Sequence, residues 1–323
     1  RPILFETEDV DRIMRLVHPV EFGQAVRLSE QLQITLHSAG HILGAASALI
    51  EIEGRRIVMS GDLGHELGQP CPPPTAPPAA DLVIMECTRG DARDDIESNP
   101  TEQLAAVLDL ATHQEQVIVC PTFALGRAHQ LLYRLSSLSR NGRLHMPVFL
   151  DSMMASLTAP MHADFPQMLS LQAQQLLHQG IDPLDFPERK LLRNKRAARV
   201  LEELRGPAMI LAGSGFADAG PIVGHLKRWL PTDCGRILLA GFCMPGTVSG
   251  KLADDPPTLR LHGQVIEVTA PIDRLNCFTG HADGPQLKRW LKGMPGPQPT
   301  VILHHGDPKP RTAMMNSLRD DGY

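Results

Sequence analysis

The chain has 323 residues, 42% of them hydrophobic and 21% charged, with a formal net charge of −5. That is the composition of a globular protein of about two domains, and no run of about 18 apolar residues exists to span a membrane. The net acidity argues against a protein that coats nucleic acid over its whole surface, although binding through one local basic groove remains compatible with it.

The first residues, Arg1-Pro2-Ile3-Leu4-Phe5, carry no signal segment and no initiator Met, and the chain stops at Asp321-Gly322-Tyr323; both ends look like cuts. Gln33–Leu36, Ala48–Ile52 and Arg55–Met59 alternate as strands, the last two joined by a Glu53-Gly54 hairpin turn. The proline-rich stretch from Pro70 to Pro78 predicts an irregular surface loop, and Asp81–Met85 a buried strand. From Pro100 the period changes. Leu104, Val107, Leu108 and Ala111 mark a helix, followed by strand Val117–Cys120, helix Ala128–Ser136, strand Val148–Leu150 and a long helical region. Strand Ala208–Ala212, helix Gly220–Leu230 and strand Arg236–Ala240 complete an alternation that predicts a parallel, doubly covered sheet. Val265–Val268 and Thr300–Leu303 then read as a return to the first sheet. An α/β domain inserted into a sheet-rich one fits this order better than two domains in tandem.

Six cysteines (Cys71, Cys87, Cys120, Cys234, Cys243, Cys277) include no CxxC pair, which points to reduced thiols and a cytoplasmic setting, not to disulfides or a thiolate zinc site. Four turns carry metal-binding residue types instead. His41 lies in Ser38-Ala39-Gly40-His41-Ile42-Leu43-Gly44, and Asp62 in Ser60-Gly61-Asp62-Leu63-Gly64. His281 lies in Phe278-Thr279-Gly280-His281-Ala282-Asp283, and His305 in Leu303-His304-His305-Gly306-Asp307. Imidazole and carboxylate groups at strand ends are held rigidly enough to ligate a metal. Taken singly, each is more often a capped surface histidine or a turn-forming aspartate.

Gly40–Ser47 with Ser60–Gly64 resembles the third and fourth metal motifs of metallo-β-lactamase-fold nucleases. Met85-Glu86-Cys87-Thr88-Arg89-Gly90 resembles the glutamate motif that opens the β-CASP insertion. Pro121–Arg127, Leu150-Asp151-Ser152 and Ala212-Gly213-Ser214-Gly215 resemble landmarks within it, and His281 and His305 its two closing histidine motifs. The match runs from about residue 30 to about residue 310 in order and spacing. The resemblance implies a metallo-β-lactamase αββα sandwich, present in part, with an inserted α/β β-CASP domain, divided as 1–94, 95–262 and 263–323. It further implies a zinc-dependent ribonuclease: His41, Asp62 and His305 hold a pair of zinc ions, His281 donates a proton to the leaving oxygen, and Glu86 orients His281.

The family's main motif, His-x-His-x-Asp-His, is absent from these residues, so the chain alone is expected to be inactive. Two further departures are Arg89, where the motif usually has Tyr, and Gly280, where a small Ala usually precedes the histidine. His304 is expected to pack on the opposite side of its strand from His305. Arg189, Lys190, Arg193, Lys195, Arg196 and Arg199 read as a basic helix, either a solvated face or the wall of an RNA groove. Ser152, Ser214 and Gly215 are candidates to hydrogen-bond substrate phosphates. RNA is the expected partner, with single-stranded DNA and a homodimer left open. The competing readings are a non-catalytic scaffold of an RNA-processing complex and a zinc hydrolase of small esters.

Overall fold

The computed structural model describes residues 4–66, 70–93, 99–192 and 199–323. Its first sheet comprises β1 (Ala25–Arg27), β2 (Leu32–Ser38), β3 (Ala46–Ile52), β4 (Arg55–Met59), β5 (Leu82–Glu86) and a strand from the far end of the chain, Thr300–His304. β1 to β4 form an antiparallel meander, and β5 lies parallel to both β4 and Thr300–His304. The β3–β4 turn holds Glu53 at φ 48° and Gly54 at φ 75°, the two positive values that a tight two-residue hairpin needs.

One face of this sheet (Leu49, Val58, Val83, Met85) buries against Leu287, Trp290, Leu291, Met314 and Leu318 of helices Gly284–Lys292 and Pro308–Asp320. The other face, in paired rows such as Ala48, Met59, Ile84 and Ile302, is half-buried to exposed, with Met59 at 40% and Ile302 at 49%. The described residues therefore form two of the four layers that the sequence implies, one of helices and one of sheet.

The second sheet contains β6 (Val117–Pro121), β7 (Val148–Asp151), β8 (Arg189–Leu191), β9 (Ala208–Ala212), β10 (Gly235–Ala240) and a strand at Ile272–Leu275. Their spatial order is Ile272–Leu275, β10, β6, β9, β7, β8, and every pairing is parallel. Helices Pro100–His113 and Arg127–Arg140 cover one face. Helices Ile222–Trp229 and Val248–Leu252 cover the other, which is the doubly covered α/β layer expected from the alternation. No described helix is long and apolar enough to cross a membrane.

Two expectations change, the pairing of Val265–Val268 and the helix at the start of the basic stretch. Val265–Val268 does not rejoin the first sheet: Gln264–Glu267 pairs with Thr258–Leu261 in a separate hairpin. Its turn residues His262 and Gly263 both have positive φ, and Leu259, Leu261 and Ile266 are buried in the core around helix Ile222–Trp229. Ile272–Leu275, after that hairpin, pairs in parallel with β10. The start of the basic stretch is no helix, because Arg189 and Lys190 lie on edge strand β8. Arg189 is paired with Asp185 at 2.8 Å. Arg193, Lys195 and Arg196 fall outside the described residues, and Arg199 opens a short 3-10 turn.

The segment Pro70–Pro78 is irregular, as its prolines dictate, but it is more than a surface loop. Pro70, Cys71 and Pro77 are buried. The Pro70 carbonyl accepts from Ser170 N–H on the insertion side at 2.8 Å, and Thr75 bonds Ser38 and Trp290 on the other. It straps the two parts together.

Candidate metal centre

The ends of β2, β4, β5 and Thr300–His304 lie on one edge of the first sheet, so the turns that follow them meet. These turns carry His41, Asp62, Thr88 and His305. Backbone bridges Gly40–Leu63 and Gly64–His281 stitch in the loop that leaves the second sheet. Only glycine fits at position 64, where an added Cβ would overlap the carbonyl of Gly40.

The five expected residues converge. His41 Nε2 lies 3.9 Å from Asp62 Oδ2, and His305 Nδ1 lies 3.2 Å from Asp62 Oδ1, so the one carboxylate faces both imidazoles. The His41 ring centroid is 4.5 Å from that of His281, which is 5.7 Å from that of His305. Both His41–Asp62–His281 and Glu86–His281–His305 are compact enough to hold a metal ion.

Partners around these rings fix their orientation. The Gly280 carbonyl, 2.9 Å from His41 Nδ1, holds the proton there and leaves Nε2 free to face Asp62. Burial, together with the neighbouring His281, lowers the His41 pKa and favours the neutral, ligating form. Glu86 is fully buried. It accepts from Leu63 N–H at 2.7 Å and Thr88 N–H at 3.1 Å, and His281 Nδ1 lies 3.0 Å from the same oxygen that Leu63 bonds. Burial alone would raise the Glu86 pKa, but its bonds to His281, Thr88 and Leu63 outweigh it and hold the carboxyl low. Burial likewise works to lower His281, and the Glu86 carboxylate outweighs it to raise the net value.

Sequence reasoning missed two members. Thr88 Oγ1 reaches both the His305 carbonyl, at 2.7 Å, and His305 Nδ1, at 3.1 Å. Ser60 Oγ accepts from Glu86 N–H at 2.9 Å. Both lie within the quoted motifs, but nothing in the residues beside them signals a partner. His305 itself has φ 50°, an uncommon value for a residue with a side chain and one that recurs at functional sites. His304 pairs in register with Glu86, and its ring Nε2 is buried without a hydrogen-bond partner among the described residues.

The departure at Gly280 has a local reason. A Cβ there would lie 2.5 Å from His41 Cε1, so glycine makes room for the ring in this chain. Ser152 and Ser214 follow β7 and β9 on the carboxyl edge of the second sheet. Ser152 caps helix Met153–Thr158 and approaches Gly213, and Gly215 packs against the ring of Phe123.

Two family models match the chain: the Beta-Casp domain over residues 128–252 and the Zn-dependent metallo-hydrolase RNA specificity domain over residues 265–322. The chain is 32% identical over 304 residues to "Ribonuclease TTHA0252" of Thermus thermophilus, covering 94% of this chain and 69% of that protein. It is 27% identical over 322 residues to "Transcription termination factor FttA" of Methanocaldococcus jannaschii, covering 96% and 50%. It is 28% identical over 315 residues to "Endoribonuclease YSH1" of Mycosarcoma maydis, covering 94% and 34%. The chain thus spans about half the length or less of the last two relatives. With its closing histidine motifs, its parallel inserted sheet and these likenesses, the chain belongs to the β-CASP family of metallo-β-lactamase-fold ribonucleases.

Proposed function

We propose that this protein hydrolyses phosphodiester bonds of RNA at the cluster of His41, Asp62, Glu86, His281 and His305. The observation that carries this reading is the convergence of imidazole and carboxylate groups, with no thiolate, around the two oxygens of Asp62. That donor set suits zinc, and His41, Asp62 and His305 are the residues that would hold it. When bound, a zinc pair would activate water and draw charge from the phosphoryl oxygens.

The chain's own residues do the rest. His281, held by Glu86 through Nδ1, has its Nε2 left to protonate the departing sugar oxygen, and the raised pKa suits a group that arrives protonated. Thr88 and the Gly280 carbonyl keep His305 and His41 in their ligating orientations. Arg193, Lys195, Arg196 and Arg199, with Ser152, Ser214 and Gly215, are assigned to the substrate's phosphates.

The test is cleavage of 5′-labelled single-stranded RNA, with single-stranded DNA in parallel, by the protein expressed from its complete gene and supplied with zinc. Cleavage should vanish with a chelator and in Asp62→Asn. A protein that leaves RNA intact while hydrolysing a small ester would overturn the reading.

A further inference from the structure

The second sheet holds a cation, Arg127, that meets no carboxylate among the described residues. Arg127 is the first residue of helix Arg127–Arg140, and its guanidinium is half-buried between the loops that leave β6 and β10. One nitrogen donates to the Phe242 carbonyl at 3.3 Å, and the guanidinium carbon lies 4.8 Å above the ring of Phe123. A Cβ on Gly241 would come within 3.1 Å of its Nε. Among the described residues no carboxylate pairs with it. Burial pushes its pKa down, and only the thiols of Cys120 and Cys243 oppose that. A guanidinium has five donors, and withdrawing one from water without an anion is costly, so such a group is best explained by an anion that arrives with a ligand.

Its place in the fold says where the anion comes from. β6 and β9 are adjacent and parallel, but the helices that follow them pack on opposite faces of the sheet. At such a switch point the loops diverge, and a crevice opens at the carboxyl ends of the strands, where open α/β sheets bind ligands. The same loops touch the metal centre. A Cβ on Gly126 would lie 2.9 Å from Ile42, the neighbour of His41, and one on Gly241 would overlap the carbonyl of Phe278 in the His281 loop. Arg127 therefore stands between the crevice and the reacting centre.

We infer that Arg127 grips a phosphate of the substrate strand with its guanidinium fork, next to the phosphate that is cut. This rests on the reading of the protein as an RNA hydrolase. A bidentate arginine–phosphate contact carries geometry as well as charge, so it sets the strand's register against His281 and the metal ligands.

Binding of a fluorescein-labelled ten-nucleotide RNA, and of the same length of single-stranded DNA, is to be measured by anisotropy over a salt series. The zinc-loaded protein, Arg127→Gln and Arg127→Lys are compared, with thermal melts as the folding control. Arg127→Gln should weaken RNA binding about ten- to a hundredfold and flatten the log–log salt slope by about 0.7, the value for one phosphate contact on a single strand. Arg127→Lys should keep the slope and still lose several-fold in affinity, because the fork is gone. A folded Gln variant with the wild-type affinity and slope would make Arg127 a staple for the Phe242 loop and end the proposal. Should the Gln variant fail to fold, wild-type affinity in Arg127→Lys overturns it equally. If the wild type binds only DNA and Arg127→Gln still removes one contact, the phosphate grip stands and the RNA reading falls. If it binds neither strand, both fall.

Discussion

Glu86 and His281 stand 195 residues apart in sequence, and their side chains meet at 3.0 Å, with the carboxylate at 0% exposure and the ring at 21%. The carboxylate comes from the first sheet and the imidazole from the loop that leaves the second, so the pair forms only once both parts have folded. Because Glu86 occupies Nδ1, the outward Nε2 is the one nitrogen of that ring available for proton transfer.

The first prediction follows from that pair. In the protein expressed from its complete gene, His281→Ala should lower RNA cleavage by about 10²–10⁴-fold, the usual worth of a general acid. A nitrophenyl phosphodiester leaves without needing a proton, so its hydrolysis should survive nearly intact, as should zinc content. Glu86→Gln should show the same selectivity in weaker form. Release of zinc from His281→Ala would identify His281 as a ligand instead.

Zinc occupancy should be incomplete in residues 1–323 alone. His41, Asp62 and His305 would supply three protein ligands, Asp62 facing both histidines, whereas catalytic zinc takes about three apiece. Mass spectrometric metal analysis after dialysis should find fewer than two tightly held zinc ions per chain, and fewer again in Asp62→Asn. A stable ratio of two would mean that other residues also ligate.

Gly280→Ala tests the fit of the His41 ring. The new methyl would sit 2.5 Å from His41 Cε1, and the ring is the part free to move. Zinc affinity should fall by roughly 10–100-fold, as for changes to groups that orient a ligand, while the melting temperature changes little. An unchanged affinity in a competition titration would show that the ring has slack.

Acid should loosen the insertion through His129. This ring is 4% exposed, lies 3.1 Å from Thr158 Oγ1 and packs edge-on against His162. Burial, then His162, lowers its pKa from 6.5 to about 3. Between those values the unfolded chain binds a proton that the folded one does not. Stability therefore falls as pH drops below 6.5, by up to about 1.4 kcal/mol per pH unit. His129→Gln should flatten that slope in urea melts between about pH 4 and 7. Equal slopes in variant and wild type would remove His129 from the account.

The elements whose chemistry is local were legible in the sequence. Asn99 and Pro100 start helix Pro100–His113, and Leu104, Val107, Leu108 and Ala111 are all buried on it. Glu53-Gly54 closes its hairpin because turn geometry depends on those two residues alone. His41, Asp62, His281 and His305 stood out because metal-binding groups follow or precede strands, although it was the order of the motifs that joined them into one site. What depends on distant neighbours was not legible. β8 is a charged edge strand, held by its pairing with β7 and showing no apolar alternation of its own. Thr88 acquires its role from a histidine 217 residues away. Arg127 stands out because no acid among the described residues folds against it.

Ile42, the neighbour of His41, fills the space beside Gly126, so the loop that leaves β6 and the turn that carries His41 pack against each other. A substrate strand that widened the crevice would press on that turn. By reciprocity, a metal that bound an undistorted His41 would resist the widening. Loading the centre and admitting a substrate would then be coupled events, whose order of addition leaves the final complex unchanged but sets the rate at which it is reached.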